Sequence, residues 1–322
     1  MHPQLPAWLG RLAPLGLLVW LAVVVARAPG GLDEAGLAEL IVLFIPLVAL
    51  PTALPLAVPT DRFPGPGRER IVAALAGGWA LGGLLLAVGI AAVDAGGPAA
   101  AALMIPWALF AACVGLIAAA RALWHSRSAL ELVIDVGLVM VPGGAVWLAV
   151  YRMDLVLGGF GGLATALTAG HFHTAGFGAL MVAGLVGRAV AGAPRARRVH
   201  AVVAATLVVA YGAMAAGIAT GVHAFELAGA SLYAFALPAI AGLQMFAGVR
   251  VADRPARGLL VLSSLCLLVS TVYALRFAAE GFYGAAVPIM TMLRMHGLVN
   301  AVGFVGLGVW GWRRAALAVR GG

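Results

Sequence analysis

Ten apolar runs constrain the fold of this chain more than any other feature of its sequence. A helix needs roughly 20 apolar residues to cross the hydrocarbon core of a bilayer. Only 10% of the 322 residues are charged and 63% are hydrophobic, which is more apolar surface than a water-soluble domain can bury. The sequence therefore predicts an all-α, polytopic integral membrane helical bundle surrounded by lipid, with spans at residues 9–27, 37–58, 70–93, 99–121, 129–150, 157–188, 199–221, 224–248, 257–280 and 286–311.

Arginine-rich connections alternate with arginine-poor connections along the chain. The rich ones follow the second, fourth, sixth and eighth runs and form the C-terminal tail, whereas the others carry at most one arginine each, such as Arg27 and Arg152. Because basic residues collect in cytoplasmic connections, this alternation predicts ten helices with both termini in the cytoplasm. Membrane orientation also accounts for the net charge of +8, so we expect no nucleic-acid partner.

One transmembrane domain is expected over residues 1–322. The first apolar run has the length of a signal peptide, but no clear cleavage site follows it and further spans do, so we interpret it as the first helix. Five helices on either side of residue 152 would give two halves, 1–152 and 153–322, of opposite orientation. This is the geometry of inverted-repeat transporters.

The sixth run contains two histidines, His171 and His173, in a glycine-rich apolar stretch from Gly161 to Arg188. Ionisable groups inside a span are costly and are functional candidates by default. On a regular helix the two side chains point about 200° apart and cannot chelate one metal together. They could serve two centres, or one could bind while the other hydrogen-bonds, unless a helix break at a neighbouring glycine brings them closer.

Further polar groups fall at the predicted outer side of other runs. We expect them to join the two histidines in one polar cavity in the outer half of the bilayer, mainly within residues 157–311. For the four at helix ends, contact with interfacial water is the alternative. The helix-end residues are His223, Glu226, Arg276 and Glu280, and the deeper ones are Arg294, His296 and Asn300.

Three carboxylates lie in or beside other runs. Glu39 is placed near the outer end of the second run, and Glu131 is expected at the cytoplasmic interface. Asp135 is interpreted in one of two ways. It either takes part in a separate step of ion or proton movement, or it makes a structural hydrogen bond to a neighbouring helix.

Prolines interrupt several of the runs. Proline removes a backbone donor and kinks a helix, and broken helices line cavities in transporters. We therefore expect either breaks beside a cavity or tolerated kinks. The positions are Pro46, Pro51 and Pro55, the sequence Pro142-Gly143-Gly144, and Pro288.

Two separated motifs resemble a known family. The run LTAGHFHTAGFGALMVAGL, residues 167–185, is similar to a signature of the YndJ-like family of bacterial membrane proteins, and MHGLVNAVGF, residues 295–304, is similar to its second signature. The resemblance implies a multi-pass protein of the bacterial cytoplasmic membrane that is transporter-like, and it names no substrate.

A second resemblance is local. The sequence His171-Phe172-His173 is similar to the HFHY run of haem-copper oxidases, but Thr174 stands in place of the tyrosine. The accompanying copper-ligand histidines and the usual twelve spans are missing. Phosphate-binding loops and serine nucleophile elbows are also missing, which leaves ATP-driven and serine-hydrolase chemistry without support.

Three functions stay open from the sequence, and with them whether the protein is an enzyme. The first is a transporter-like, proton-coupled permease for a small molecule or ion. In it His171, His173 and His296 relay protons or hydrogen-bond substrate, and the arginines bind anionic groups or pair with Glu226 or Glu280. The second is a redox enzyme holding haem or a transition metal on His171, His173, His223, His296 and Glu226. The third is a non-catalytic sensor or assembly protein. Substrate and oligomeric state are not determined.

Overall fold

A computed structural model of the chain describes residues 9–58, 68–124, 128–283 and 287–321. Within these ranges ten helices are long and apolar enough to cross a membrane, so the predicted all-α, ten-helix membrane bundle is confirmed. The cytoplasmic placement of both termini stays a prediction. The helices are α1 Leu9–Arg27, α2 Glu34–Ala57, α3 Arg68–Ala92, α4 Pro98–Trp124, α5 Ala129–Arg152, α6 Gly162–Val190, α7 Pro194–Thr220, α8 His223–Gly248, α9 Arg254–Tyr283 and α10 Ile289–Ala318.

The start of α6 differs most from the sequence prediction. The apolar run begins at residue 157, but the helix begins at Gly162 because the preceding residues turn, with Leu157 and Phe160 exchanging backbone hydrogen bonds. Gly158 and Gly159 have φ angles of +60° and +86°, a left-handed conformation that glycine adopts without steric cost. Apolar character alone could not reveal this turn.

Three helices contain π-helical segments rather than breaks. These are Ile45–Ala49 in α2, Phe172–Ala179 in α6 and Leu293–Gly306 in α10. The helical path is continuous at the glycines beside the two histidines, so the break considered there does not occur. In α5 the helix also runs through Pro142, whose ring fits against Gly115 of α4: a Cβ on that glycine would lie 2.8 Å from the proline Cγ.

One backbone carbonyl of α2 that lacks a partner because of a proline is satisfied by a side chain from a neighbouring helix. The amide of Leu50 bonds to the carbonyl of Ile45, and Pro51 has no amide hydrogen, so the carbonyl of Pro46 needs another donor. The indole Nε1 of Trp79 on α3 supplies it at 2.8 Å. A freed carbonyl in a bilayer must be satisfied by protein groups or water, and here the partner is a tryptophan.

The chain divides into two compact units. The first contains Met1–Ile117 and Val139–His173, and the second contains Ala118–Leu138 and Thr174–Gly322. Helices α4, α5 and α6 therefore contribute residues to both.

Burial differs strongly among the helices. In α2 and α6, 89% and 83% of the apolar window is buried, against 17% to 56% in the other eight spans found in the described residues. The others present large apolar side chains outward, as on α4, where Leu109, Leu116 and Leu123 are exposed. Outward apolar side chains are expected of a protein whose solvent is lipid. The proline-rich helix α2 and the helix α6, which carries the first motif, are thus shielded from lipid.

Candidate functional site

The imidazole of His173 in the first unit is the most enclosed of the predicted site groups. The side chain is 0% exposed, and its Nδ1 lies 2.8 Å from the carbonyl oxygen of Ala169. A carbonyl only accepts, so Nδ1 carries the hydrogen and donates it. The lone pair is then on Nε2, which is buried and has no hydrogen-bond partner among the described residues.

Glycines of α5 make the space that this ring occupies. A Cβ on Gly144 would overlap the imidazole of His173, and a Cβ on Gly143 would lie 2.6 Å from the ring of Phe172. On its other side the imidazole stacks with the indole of Trp107, with ring centroids 6.2 Å apart and planes inclined by 29°. The indole Nε1 of Trp107 is also buried without a hydrogen-bond partner within the described ranges. A donor and an acceptor therefore both lack partners beside the stacked rings.

His171 has a different environment from His173. It is exposed, and its Nδ1 lies 2.8 Å from the carbonyl oxygen of Leu167. The prediction that the two histidines do not act together on one ion stays a prediction. Across the described part of the chain, no group of three or more His, Cys, Asp and Glu side chains is arranged to hold a metal ion.

In the second unit, α9 and α10 bring Ser270 and His296 together. The Oγ of Ser270 lies 3.0 Å from His296 Nδ1, and the Ser270 carbonyl oxygen lies 3.1 Å from the same nitrogen. Ser270 is almost fully buried. Four residues further along α10, the side-chain oxygen of Asn300 is buried with no hydrogen-bond partner in the described ranges.

The remaining predicted site residues are more exposed. His223 and Glu226 form a 3.3 Å contact at the start of α8, and the histidine side chain is 92% exposed. Arg276 is exposed above the ring of Tyr273, and Arg294 is exposed on α10. The side chain of Glu280 lies outside the described residues.

The predicted residues are distributed over both units. His171 and His173 belong to the first unit, and the residues predicted from α8, α9 and α10 belong to the second. The single shared cavity therefore stays a prediction.

Sequence reasoning missed a buried ion-pair group in the first unit. The carboxylate of Glu39 on α2 accepts from Arg27 Nη2 and from Arg152 Nη1, both at 2.7 Å. Glu39 and Arg152 are each 3% exposed. The sequence analysis treated both arginines as isolated basic residues in arginine-poor connections. That isolation is a signal in the sequence that could have pointed to a buried partner.

The same two arginines close the end of α3. Arg27 Nη1 donates to the carbonyl oxygen of Ile90 at 3.0 Å. Arg152 Nη2 donates to the carbonyl oxygen of Gly89 at 2.9 Å and also to that of Val93. The last carbonyls of a helix have no partner within the helix and carry a partial negative charge. The arginines therefore neutralise a carboxylate and a helix end together.

A second ion-pair group lies in the second unit. Arg121 Nε donates to Asp135 at 2.6 Å and Arg121 Nη2 donates to Glu131 at 2.9 Å. Arg188 on α6 donates to both oxygens of Glu131, at 2.6 and 2.7 Å. Of the two interpretations of Asp135, the structure contains the hydrogen bond to a neighbouring helix.

A further ion pair joins Asp253, which lies outside the spans just before α9, to Arg314 near the C-terminal end of α10. Asp253 accepts from Arg314 Nε at 2.7 Å and from the amide of Ala256 at 2.8 Å. The Arg314 side chain and that amide hold the pKa of Asp253 below its ordinary value.

The fold and its lipid-facing apolar surface define a polytopic α-helical membrane protein. A family model described as YndJ-like protein matches residues 40–304, which include both motifs, and the chain belongs to that family. It is 28% identical over 178 residues to "Uncharacterized membrane protein YndJ" of Bacillus subtilis (strain 168). This match covers 55% of the chain and 32% of the relative, so it spans about a third of the relative's length. No solved structure matches the chain.

Proposed function

We propose that this protein is a transporter-like permease of the bacterial cytoplasmic membrane that couples proton movement to the passage of a small molecule or ion. One observation carries the proposal: the buried Nε2 of His173 has no partner among the described residues, while Nδ1 is committed to Ala169. A buried ring nitrogen with a free lone pair is a proton acceptor placed inside a span.

Two features of the surroundings of His173 act in opposite directions on its charge. The stacked indole of Trp107 presents a π system to the imidazole, and aromatic faces attract cations. Full burial disfavours the charged imidazolium, so in this proposal His173 takes up a proton only when water reaches it during the cycle. His173 itself lies in the π-helical segment Phe172–Ala179, a geometry found frequently at functional sites.

The solute class is inferred from charge. Arg276 and Arg294 are exposed on α9 and α10, and basic side chains bind anionic groups. We propose small organic or inorganic anions as the substrates to test first.

Proteoliposomes containing the full chain and a luminal pH dye test this proposal. Acetate, phosphate, sulfate and glutamate are added one at a time under an inward proton gradient. We expect at least one anion to accelerate luminal acidification in the presence of the protein, and His173→Gln to abolish the acceleration. Gln keeps a polar side chain of similar size but cannot take up the proton.

His200→Gln is the matched control. His200 is likewise fully buried, with one ring nitrogen bonded to the carbonyl of Ala183 and the other without a partner in the described residues, but it lies on α7 outside both motifs. Its variant should keep the proton flux. No protein-dependent acidification with any of the four anions, or equal loss in both variants, would contradict the proposal.

A further inference from the structure

Within the second unit, α6 and α10 pack side by side in the same direction. A Cβ on Gly178 would lie 2.6 Å from Val305, and a Cβ on Gly308 would lie 3.2 Å from Val182. The second contact lies closer to the C-terminus than the first on both helices, so the helices are parallel. The two contacts also fix which residues of α6 lie opposite which residues of α10. Continuing this register one turn toward the N-termini places Thr174 of the first motif at the level of Asn300 of the second.

Both of these side chains carry an oxygen without a hydrogen-bond partner. Thr174 Oγ1 and Asn300 Oδ1 are buried, and neither has a partner among the described residues. Because the i→i+5 bonding of a π-helix widens the turn, residues five apart, such as Asn300 and Val305, come onto one side of α10. The two oxygens are therefore at one level on packed helices.

The hydroxyl of Thr174 also departs from a local pattern. A threonine inside a helix usually donates to the carbonyl four residues earlier. Five helical threonines of this chain do so, at 2.6 to 2.9 Å, and Thr174 does not. The five are Thr52, Thr168, Thr206, Thr220 and Thr271.

The chemistry of the two oxygens points to a class of ligand. An amide oxygen only accepts and a hydroxyl oxygen can accept, so both can turn a lone pair toward a cation. Residues 172–190 and 289–306 contain no Asp or Glu, and the hard divalent cations are bound mainly through carboxylates. Neutral oxygens with irregular helix backbone are the groups that coordinate Na⁺ inside transporters.

We propose that this level of the second unit is a Na⁺ site with Thr174 Oγ1 and Asn300 Oδ1 as ligands. The inference goes beyond the proposed proton coupling, since it rests on other residues in another unit.

The test is Na⁺-dependent thermal stability of the purified full-length protein in lipid nanodiscs. Melting is followed in NaCl, KCl and choline chloride at equal ionic strength, and Na⁺ binding is titrated by calorimetry. We expect a saturable rise of the melting temperature with NaCl alone. A ligand that binds only the folded state raises stability in this way.

Thr174→Val and Asn300→Leu should weaken Na⁺ binding by about tenfold or more, which corresponds to the loss of one well-placed polar ligand. Thr174→Ser keeps the hydroxyl and should keep the response. Thr165→Val is the matched control, since Thr165 Oγ1 is also buried without a partner in the described ranges but belongs to the first unit.

An identical response to the three salts in the wild type, or an unchanged Na⁺ response in both Thr174→Val and Asn300→Leu, would overturn the assignment. The former result would mean that water alone satisfies the two oxygens. Failure here is separate from failure of the proposed function, because the proton-flux assay depends on His173 and has its own readout.

Discussion

Arg152 and Glu39 lie 113 positions apart in the sequence and form a 2.7 Å ion pair in which each side chain is 3% exposed. Arg27 binds the other oxygen of the same carboxylate. The three residues come from α5, α2 and α1, and the arginines also hold the carbonyls that end α3. This group joins four helices of the first unit at one level.

Removing the carboxylate should destabilise the protein strongly. Glu39→Gln leaves two guanidinium groups beside a neutral amide, and breaking a buried pair costs about 3–5 kcal/mol. Unfolding in nanodiscs, followed by circular dichroism, measures the loss. Arg314→Gln is the control, because the arginine of its pair with Asp253 is 52% exposed and solvent-exposed ion pairs contribute little to stability. Equal losses would mean that the buried group is not a main support of the first unit.

Gly144→Ala should displace His173. The added methyl group would overlap the imidazole, and the ring could move only by giving up its bond to Ala169 or its stacking on Trp107. We expect a stability loss of about 1–3 kcal/mol, typical of overpacking, together with loss of His173-dependent proton flux. Gly212→Ala is the control, since a Cβ there meets no atom within 4 Å. It should be neutral or slightly stabilising through helix propensity. Retained flux in Gly144→Ala would argue against a closely fitted imidazole.

The permease proposal predicts transition metal far below one ion per chain by elemental analysis, because it assigns His173 to proton transfer and not to a ligand set. His171 is exposed while His173 is buried, so the two side chains have different surroundings. A double His171→Ala/His173→Ala variant provides the comparison. Near-stoichiometric metal in the wild type that disappears in this variant would instead favour the redox enzyme over the permease.

Cysteine labelling tests the predicted orientation. In a background without Cys113 and Cys266, single cysteines replace Val156 in the α5–α6 connection and Ala191 in the α6–α7 connection, both exposed in the structure. A membrane-impermeant maleimide added to spheroplasts should label Val156→Cys alone, because the arginine-rich connection is predicted to be cytoplasmic. Both should react after the membrane is opened. Labelling of Ala191→Cys alone in intact spheroplasts would reverse the predicted topology.

Much of the fold could be predicted because the properties that determine it are local. The length of each apolar run fixes whether it can cross a bilayer, and the ten predicted spans are present as ten helices in the described residues. The two motifs also indicated the family. The start of α6 and the π-helical segments were missed, since they depend on backbone conformation that hydropathy does not record.

The candidate site was predicted only in part. His173 and Asn300 were named from their place inside apolar runs, and both carry buried polar atoms without partners in the described ranges. Arg27 and Arg152 were read only as charges in connections, because nothing near them in the sequence shows that Glu39 lies between them.

The sequence by itself therefore determined that the chain is a ten-helix membrane protein and which intramembrane residues are polar. Only the tertiary structure decided which nitrogen of His173 keeps its lone pair, which arginines neutralise Glu39, and that Gly178 packs against Val305. The physical reason is that hydropathy adds up along a helix, whereas hydrogen bonds and ion pairs depend on how distant helices pack.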